Sequence, residues 1–149
     1  ESHRELRDRE PLPRFRAGDD PEIALRAWVG YTLRLLLVRR TAHPFAGRMI
    51  ARELLEPTEA LAELLRDVVA PVRGELAAIV RALLPGRPTD RRAGQLANFV
   101  LGLCAFHELG RAVLIRLGSP PPERPQDIGR LADAICGFAL DGLRGDGRR

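Results

Sequence analysis

Apolar residues recur along the chain at intervals of three and four, which is the spacing of one face of an α-helix. No stretch alternates apolar and polar residues between hairpin-forming dipeptides, so the sequence predicts no strands. The pattern therefore predicts an all-α fold of about six helices separated by proline- and glycine-containing segments. The predicted helices cover residues 2–10, 21–40, 45–55, 59–84, 90–117 and 126–143.

Residues that favour helix ends lie at several of these boundaries. Asp20 is followed by a proline and predicts an N-cap for the second helix. Thr58 is predicted to cap the fourth helix, and Gly118 to close the fifth. Pro71 falls inside the fourth helix, and its missing N–H predicts a kink near Val68.

The second predicted helix is apolar around most of its circumference, so we expect it to lie centrally in the domain. The last two helices each carry one main apolar face, formed by Leu96, Phe99, Val100, Leu103, His107, Gly110, Val113, Leu114 and Leu117 and by Ile128, Leu131, Ile135, Phe138, Ala139 and Leu143. Both are rich in small residues, and further apolar residues remain on a second face: Leu101, Cys104, Ile115, Cys136 and Leu140. Such a helix pair can form a four-helix bundle with a twofold-related copy, or earlier helices can cover both faces of a monomer.

Composition restricts the class of protein. A chain of 149 residues corresponds to one domain. All 24 basic residues are arginines, but they are interleaved with acids, so the net charge of +4 does not predict a nucleic-acid-binding surface. The longest apolar run, residues 35–38, is too short to span a membrane. Two isolated cysteines without an export signal are typical of a cytoplasmic protein with reduced thiols.

Chemistry-bearing residues do not cluster. His3, His43 and His107 lie in three different segments, and neither cysteine belongs to a CxxC pair, so no metal site is predicted. Ser2 and Ser119 do not sit in a nucleophile-elbow motif, and there is no glycine-rich phosphate loop. The sequence thus predicts neither an enzyme nor a cofactor.

Residues 48–58 contain charges at helical spacing. Arg48 and Arg52 are one turn apart, as are Arg52 and Glu56. One interpretation is a helix whose ion pairs fix its ends. The other is that one of these arginines points into a cavity and binds an acidic or polar ligand.

Three more residues allow two interpretations each. His107, on the apolar face of its helix, is either a satisfied core histidine or a pocket residue. Trp28 either packs in the core or forms a pocket wall. Cys104 is either a small hydrophobic residue at an interface or a reactive thiol.

A wider set of motifs resembles a known family. Its elements are His43-Pro44, Arg48, Arg52-Glu53-Leu54-Leu55, Glu56-Pro57-Thr58, residues 102–106 and residues 135–143. This order is similar to the C-terminal regulatory domain of TetR-family transcriptional regulators, in the branch with an HP…R…RE…EPT segment. The resemblance covers about residues 20–145.

The resemblance implies the regulatory domain of a one-component regulator, a repressor that a small, largely apolar effector releases from operator DNA. Residues 1–10 would be the remnant of a connector helix, and residues 11–149 the ligand-binding and dimerisation domain. We expect this chain to lack the helix-turn-helix head, and so to contact operator DNA only through a domain outside it.

The family also implies a homodimer in which the last two long helices form an intersubunit four-helix bundle. The residues predicted for this interface are Leu101, Cys104, Glu108, Ile115, Ile135, Cys136 and Leu140. The residues predicted to contact the effector are Trp28, Met49, Arg52, Phe99, Leu103 and His107. The alternative is a ligand-free helical interaction module, such as an adaptor, with a filled core and an exposed apolar groove.

Overall fold

The computed structural model describes residues 11–38, 52–53 and 55–146. Within these ranges the regular structure is helical and contains no strand, which confirms the predicted all-α class. A π-helical turn, Arg34–Val38, continues the first helix, and another, Leu65–Val69, joins the second helix to the third. The helices are α1 (Pro21–Leu33), α2 (Glu59–Leu64), α3 (Ala70–Leu83), α4 (Asp90–Leu109), α5 (Arg111–Arg116) and α6 (Pro125–Gly145). The predicted helix at residues 2–10 and most of the one at 45–55 lie outside the described residues.

Two predicted helix boundaries are confirmed in detail. The Asp20 carboxylate accepts hydrogen bonds from the backbone N–H groups of Glu22 (2.8 Å) and Ile23 (3.4 Å), so it caps α1. Gly118 follows α5 with a φ of +74°, the left-handed conformation in which glycine commonly ends a helix.

Pro71 disturbs its helix at the predicted place. The π-helical turn Leu65–Val69 ends directly before the turn that contains Pro71. Because proline has no N–H, the carbonyl four residues earlier loses its usual partner, and a wider turn is one way for the chain to accommodate that loss.

The predicted helix 90–117 is interrupted at Gly110, which separates α4 from α5. The ring of Phe106 folds over this position, so a Cβ at Gly110 would lie 2.6 Å from Phe106 Cε2. Only glycine leaves room for the ring there. Gly110 therefore lies at a break between two helices and not inside the single helix that the sequence predicts.

α1 is the central helix, as its apolar circumference predicts. It contacts α3, α4 and α6, whereas α4 packs mainly on α3 and α6 packs mainly on α1. Its buried side chains form the middle of a single hydrophobic core: Leu25, Trp28, Val29, Tyr31 and Leu33. As a result α4 and α6 touch each other less than either touches the earlier helices.

None of the helices in the described ranges combines the length and the apolar character needed to cross a membrane.

Candidate functional site

An exposed row of phenylalanines follows α4 and α6. Phe99 is 59% exposed, Phe106 53% and Phe138 71%, and Leu103 lies half-buried between the first two. Phe99, Leu103 and Phe106 are spaced by four and three residues, which places them on one side of α4. We call Phe99, Leu103, Phe106 and Phe138 together the aromatic face. Large apolar side chains exposed together in this way make the surface a candidate for binding another molecule.

Next to this face, an open groove of about 530 Å³ runs between α4 and α6. It exists because the two helices pack on α3 and α1 rather than closely on each other. Gly142 contributes to the opening, since a Cβ there would have no neighbour within 4 Å. Most of its apolar lining comes from Leu96, Phe99, Val100, Leu103, Phe138, Ala139 and Leu143.

One end of the groove is charged. Arg92, in the first turn of α4, donates from Nε to Asp146 Oδ2 (3.2 Å) and from Nη2 to Asp146 Oδ1, and from Nη1 to Gln95 Oε1 (2.7 Å). The hydrogen bonds to the Asp146 carboxylate raise the pKa of Arg92 above its ordinary value. This pair ties the start of α4 to the end of α6, and Asp141 adds a second carboxylate to the lining.

The predicted dimer residues lie largely on a different face. The structure buries Cys104, Ile135, Cys136 and Leu140 in the core of a single copy, where a second copy cannot reach them. Leu101 is half-buried and packs against that core. The main apolar faces of α4 and α6 do turn toward the core, since Val100, Ile128 and Leu143 are buried, but the core also takes in most of the predicted interface set. The outward apolar residues are those of the aromatic face.

Glu108 and Ile115 complete the predicted interface set. Glu108 is nearly buried and accepts a hydrogen bond from Nε of Arg111 at 3.0 Å, so it is held within its own chain. Ile115 is 53% exposed on α5 and is available at the surface. Arg111 also reaches Glu123, in the proline-rich connection before α6, at 3.5 Å. Arg111 therefore links the start of α5 both to the end of α4 and to that connection.

The predicted effector residues do not form one site among the described residues. Trp28 is fully buried, and its Nε1 donates to the Val72 carbonyl oxygen (2.8 Å). Phe99 and Leu103 lie together on the groove. Arg52 is exposed. Met49 lies outside the described residues, so the effector set stays a prediction.

His107 is half-buried on α4, and its Nδ1 lies 2.8 Å from the Leu103 carbonyl oxygen. A carbonyl oxygen only accepts, so Nδ1 carries the proton in this contact. Nδ1 of the histidine is therefore satisfied within its own helix, but the ring is only half-buried, so its assignment to the core or to a pocket stays a prediction.

The segment before α2 is closed by Glu53. Its Oε2 accepts from the Thr58 backbone N–H (3.0 Å) and from the Thr58 hydroxyl (2.7 Å). These two hydrogen bonds, together with the charge of Arg52, lower the pKa of Glu53. Thr58 precedes α2 as predicted, but its hydroxyl accepts no cap hydrogen bond and instead donates to Glu53. The Glu53…Thr58 spacing thus has a local structural role.

Both cysteines behave as buried hydrophobic residues. Cys104 and Cys136 are fully buried free thiols. Burial raises the pKa of Cys104 to about 12 and that of Cys136 to about 11. Thiols with such values stay protonated at neutral pH, which argues against the reactive-thiol interpretation.

Sequence reasoning missed Phe106, and it placed Phe99 and Phe138 on the core side of their helices. The sequence does hold one indication that these phenylalanines face outward. Glycines lie near them at positions 102, 137 and 142, and a Cβ at any of these positions would contact nothing. Within the described part of the chain, no three His, Cys, Asp or Glu residues are grouped closely enough to hold a metal ion.

Comparison with known proteins gives one match. No curated protein and no solved structure matches the chain. A family model, described as the C-terminal domain of the HTH-type transcriptional dual regulator CecR, matches residues 21–143, from the start of α1 almost to the end of α6. It describes a regulator domain and not an enzyme. Because the match covers most of the chain, the protein belongs to the family of C-terminal domains of the HTH-type transcriptional regulator CecR.

Proposed function

We propose that this chain is the effector-sensing and dimerisation domain of a TetR-type one-component repressor. The family match supports a regulatory domain, and the aromatic face is the observation that carries the dimer. Operator DNA would be contacted by a helix-turn-helix domain joined ahead of residue 1. A small, largely apolar effector would favour a conformation in which that contact is weaker.

The aromatic face suits a second copy of the same chain. The exposed fractions of Phe99, Phe106 and Phe138 correspond to about 350 Å² of aromatic surface. The row continues along α5 with Val113 and Leu117, both more than half exposed, toward the roughly 800 Å² per partner of a typical stable interface. A ridge of phenylalanines beside a groove is self-complementary, as a twofold contact requires.

Effector binding is proposed at the end of α1. Thr32 is 2% exposed, and its hydroxyl has no hydrogen-bond partner among the described residues. The π-helical turn Arg34–Val38 follows it immediately. Buried polar groups without partners are rare, and π turns are frequent at functional sites. This hydroxyl could therefore bond a polar group on an otherwise apolar effector.

The dimer is tested with Phe138→Ser. The exposed part of this side chain, about 140 Å², contributes roughly 3 kcal/mol of burial when covered. It occurs twice in a twofold dimer, so we expect at least a 100-fold weaker dimer by sedimentation equilibrium. Ile23→Ser is the matched control, because Ile23 is 67% exposed on α1, a helix that contributes no residue to the aromatic face or to the groove lining. Equal dimer affinities for both variants, each shown by circular dichroism to be folded, would contradict the proposed interface.

The effector is tested by a thermal-shift screen of small aromatic and lipophilic compounds. A ligand present at about 100 times its Kd stabilises the folded chain by about 2.7 kcal/mol, which raises the Tm of a domain of this size by roughly 5–10 °C. Thr32→Val should reduce the shift given by a hydroxyl- or carbonyl-bearing compound more than that given by its hydrocarbon analogue. If the polar compound raises the Tm of Thr32→Val and of the unmodified chain by the same amount, the assigned role of Thr32 is refuted.

The second candidate is a ligand-free interaction module. The exposed groove between α4 and α6 favours it, since an adaptor needs an accessible apolar groove. This candidate predicts a chain that stays monomeric and gives no ligand-induced shift. The two experiments above therefore separate the candidates.

A further inference from the structure

The chain ahead of α1 is attached to α3. We call residues 11–20 the strap. Glu75 of α3 accepts a hydrogen bond from Arg14 Nη1 (2.8 Å) on one carboxylate oxygen and from the Phe15 backbone N–H (3.0 Å) on the other. Only 14% of the Glu75 side chain is exposed, and Leu12 and Phe15 pack against the core. The strap is therefore docked on the domain at a defined point.

The rest of the strap is held by hydrogen bonds between its own residues. The Asp19 carboxylate accepts from the Arg16 N–H (2.8 Å), and the Asp19 N–H donates to the Arg16 carbonyl (3.1 Å). Gly18 lies between them with a φ of +94°, which closes the turn. Asp20 then caps α1. The part of the strap that joins Phe15, which is bound to Glu75, to the start of α1 is thus a closed turn.

The same turn of α3 also holds α1. The Val72 carbonyl accepts from Trp28 Nε1 at 2.8 Å, and Trp28 is fully buried. Val72 and Glu75 are three residues apart, so they lie on neighbouring positions of one side of the helix. The strap and the central helix are therefore anchored to one point.

Arg73, between these two residues, reaches α4. It donates from Nε to Asn98 Oδ1 (2.7 Å) and from Nη2 to the Gly94 carbonyl (3.3 Å). Gly94 leaves the space that the guanidinium uses, because a Cβ there would lie 3.0 Å from Arg73 Nη2. Asn98 is adjacent to Phe99 of the aromatic face.

We propose that residues 72–75, the junction turn, couple the strap to α4, with Glu75 as the positioning residue for the strap. A rotation or shift of α3 displaces all three sets of contacts, because they arise from one rigid helical turn. The turn begins directly after Pro71 and the π-helical turn Leu65–Val69, where the helix is least regular. A change in that region would reach the strap and α4 together.

Under the proposed function, on which the regulatory meaning of this coupling rests, the strap leads toward the DNA-contacting domain and α4 carries the dimer face. Coupling is reciprocal, so whatever fixes α4 should also fix the strap. This consequence can be measured in the chain alone, without an effector or DNA.

The test is amide hydrogen exchange at Phe15, whose N–H bonds to Glu75, monitored by NMR at fixed protein concentration. Glu75→Ala removes the acceptor and should speed this exchange at least tenfold. Asn98→Ala removes the Arg73 acceptor on α4 and should speed the same exchange at least threefold. The rate at Ala139, in the core of α6, corrects for any change in global stability.

The matched control is Asp133→Asn, which weakens the 2.8 Å contact from Arg26 of α1 to Asp133 of α6. This contact does not involve α3, so exchange at Phe15 should stay within twofold of the unmodified chain. If Asn98→Ala leaves Phe15 within twofold while Glu75→Ala speeds it, the junction turn does not couple the elements. If Glu75→Ala has no effect, Glu75 does not position the strap. Either result would leave the dimer and effector experiments unaffected. Asn98→Ser serves as the second variant if the alanine form folds poorly.

Discussion

Replacing Trp28 with phenylalanine distinguishes a core residue from a pocket wall. Trp28 has no exposed surface, and its Nε1 donates to the Val72 carbonyl at 2.8 Å. Phenylalanine retains an aromatic ring but removes the donor and the five-membered ring. The change therefore perturbs one buried hydrogen bond and a small volume at the contact between α1 and α3.

The expected cost follows from these two losses. A buried hydrogen bond contributes about 1 kcal/mol net. The missing ring atoms and the space they leave add roughly 1–2 kcal/mol, toward the low end of large-to-small core substitutions. We expect Trp28→Phe to lower the free energy of unfolding by about 2–3 kcal/mol, which moves the urea midpoint down by roughly 1–2 M for an ordinary m-value.

The assay is urea unfolding followed by circular dichroism at 222 nm, since the variant has no tryptophan fluorescence. Protein concentration is held constant because association would change apparent stability. Ile23→Ala, at an exposed position of the same helix, should change stability by no more than about 0.5 kcal/mol. A loss below that value for Trp28→Phe would refute the core assignment and favour a deformable pocket wall.

Two further predictions concern glycine and cysteine. Gly110→Ala should destabilise the domain by about 1–3 kcal/mol in thermal unfolding, because its Cβ would lie 2.8 Å from the Phe106 carbonyl oxygen. Gly74→Ala, in α3 with open space around it, should instead stabilise by up to about 1 kcal/mol, and equal effects would contradict this reasoning. Cys104 and Cys136 should not react with a thiol reagent at pH 8 in the native state but should both react in denaturant, since their pKa values are about 12 and about 11. Rapid native labelling would show that the core opens readily.

Local rules predicted the helix boundaries well. Asp20 caps α1 and Gly118 follows α5 because each acts on backbone groups within a few residues. Pro71 disturbs its helix for the same kind of reason: its missing N–H has a fixed consequence one turn earlier. Such features depend only on neighbouring residues, so one sequence contains all the information they require.

The limits of the buried faces of α4 and α6 could not be read in the same way. Apolar residues surround much of both helices, so periodicity alone does not decide which residues at the edges of the core-facing side are buried. The outcome depends on the packing of α4 on α3 and of α6 on α1, in which Cys104 and Cys136 are buried and Phe138 stays exposed. The contact between Thr58 and Glu53 was missed for a similar reason, since its acceptor lies five residues earlier, outside the helical turn that capping rules consider.

The account depends most on the statement that a second copy covers the aromatic face. Hydroxyl-radical footprinting over a range of protein concentrations measures this side chain by side chain. We predict that Phe99, Phe106 and Phe138 lose reactivity together as concentration rises, while Ile23, equally exposed on α1, keeps its reactivity. Unchanged reactivity of the three phenylalanines up to hundreds of micromolar would contradict the account.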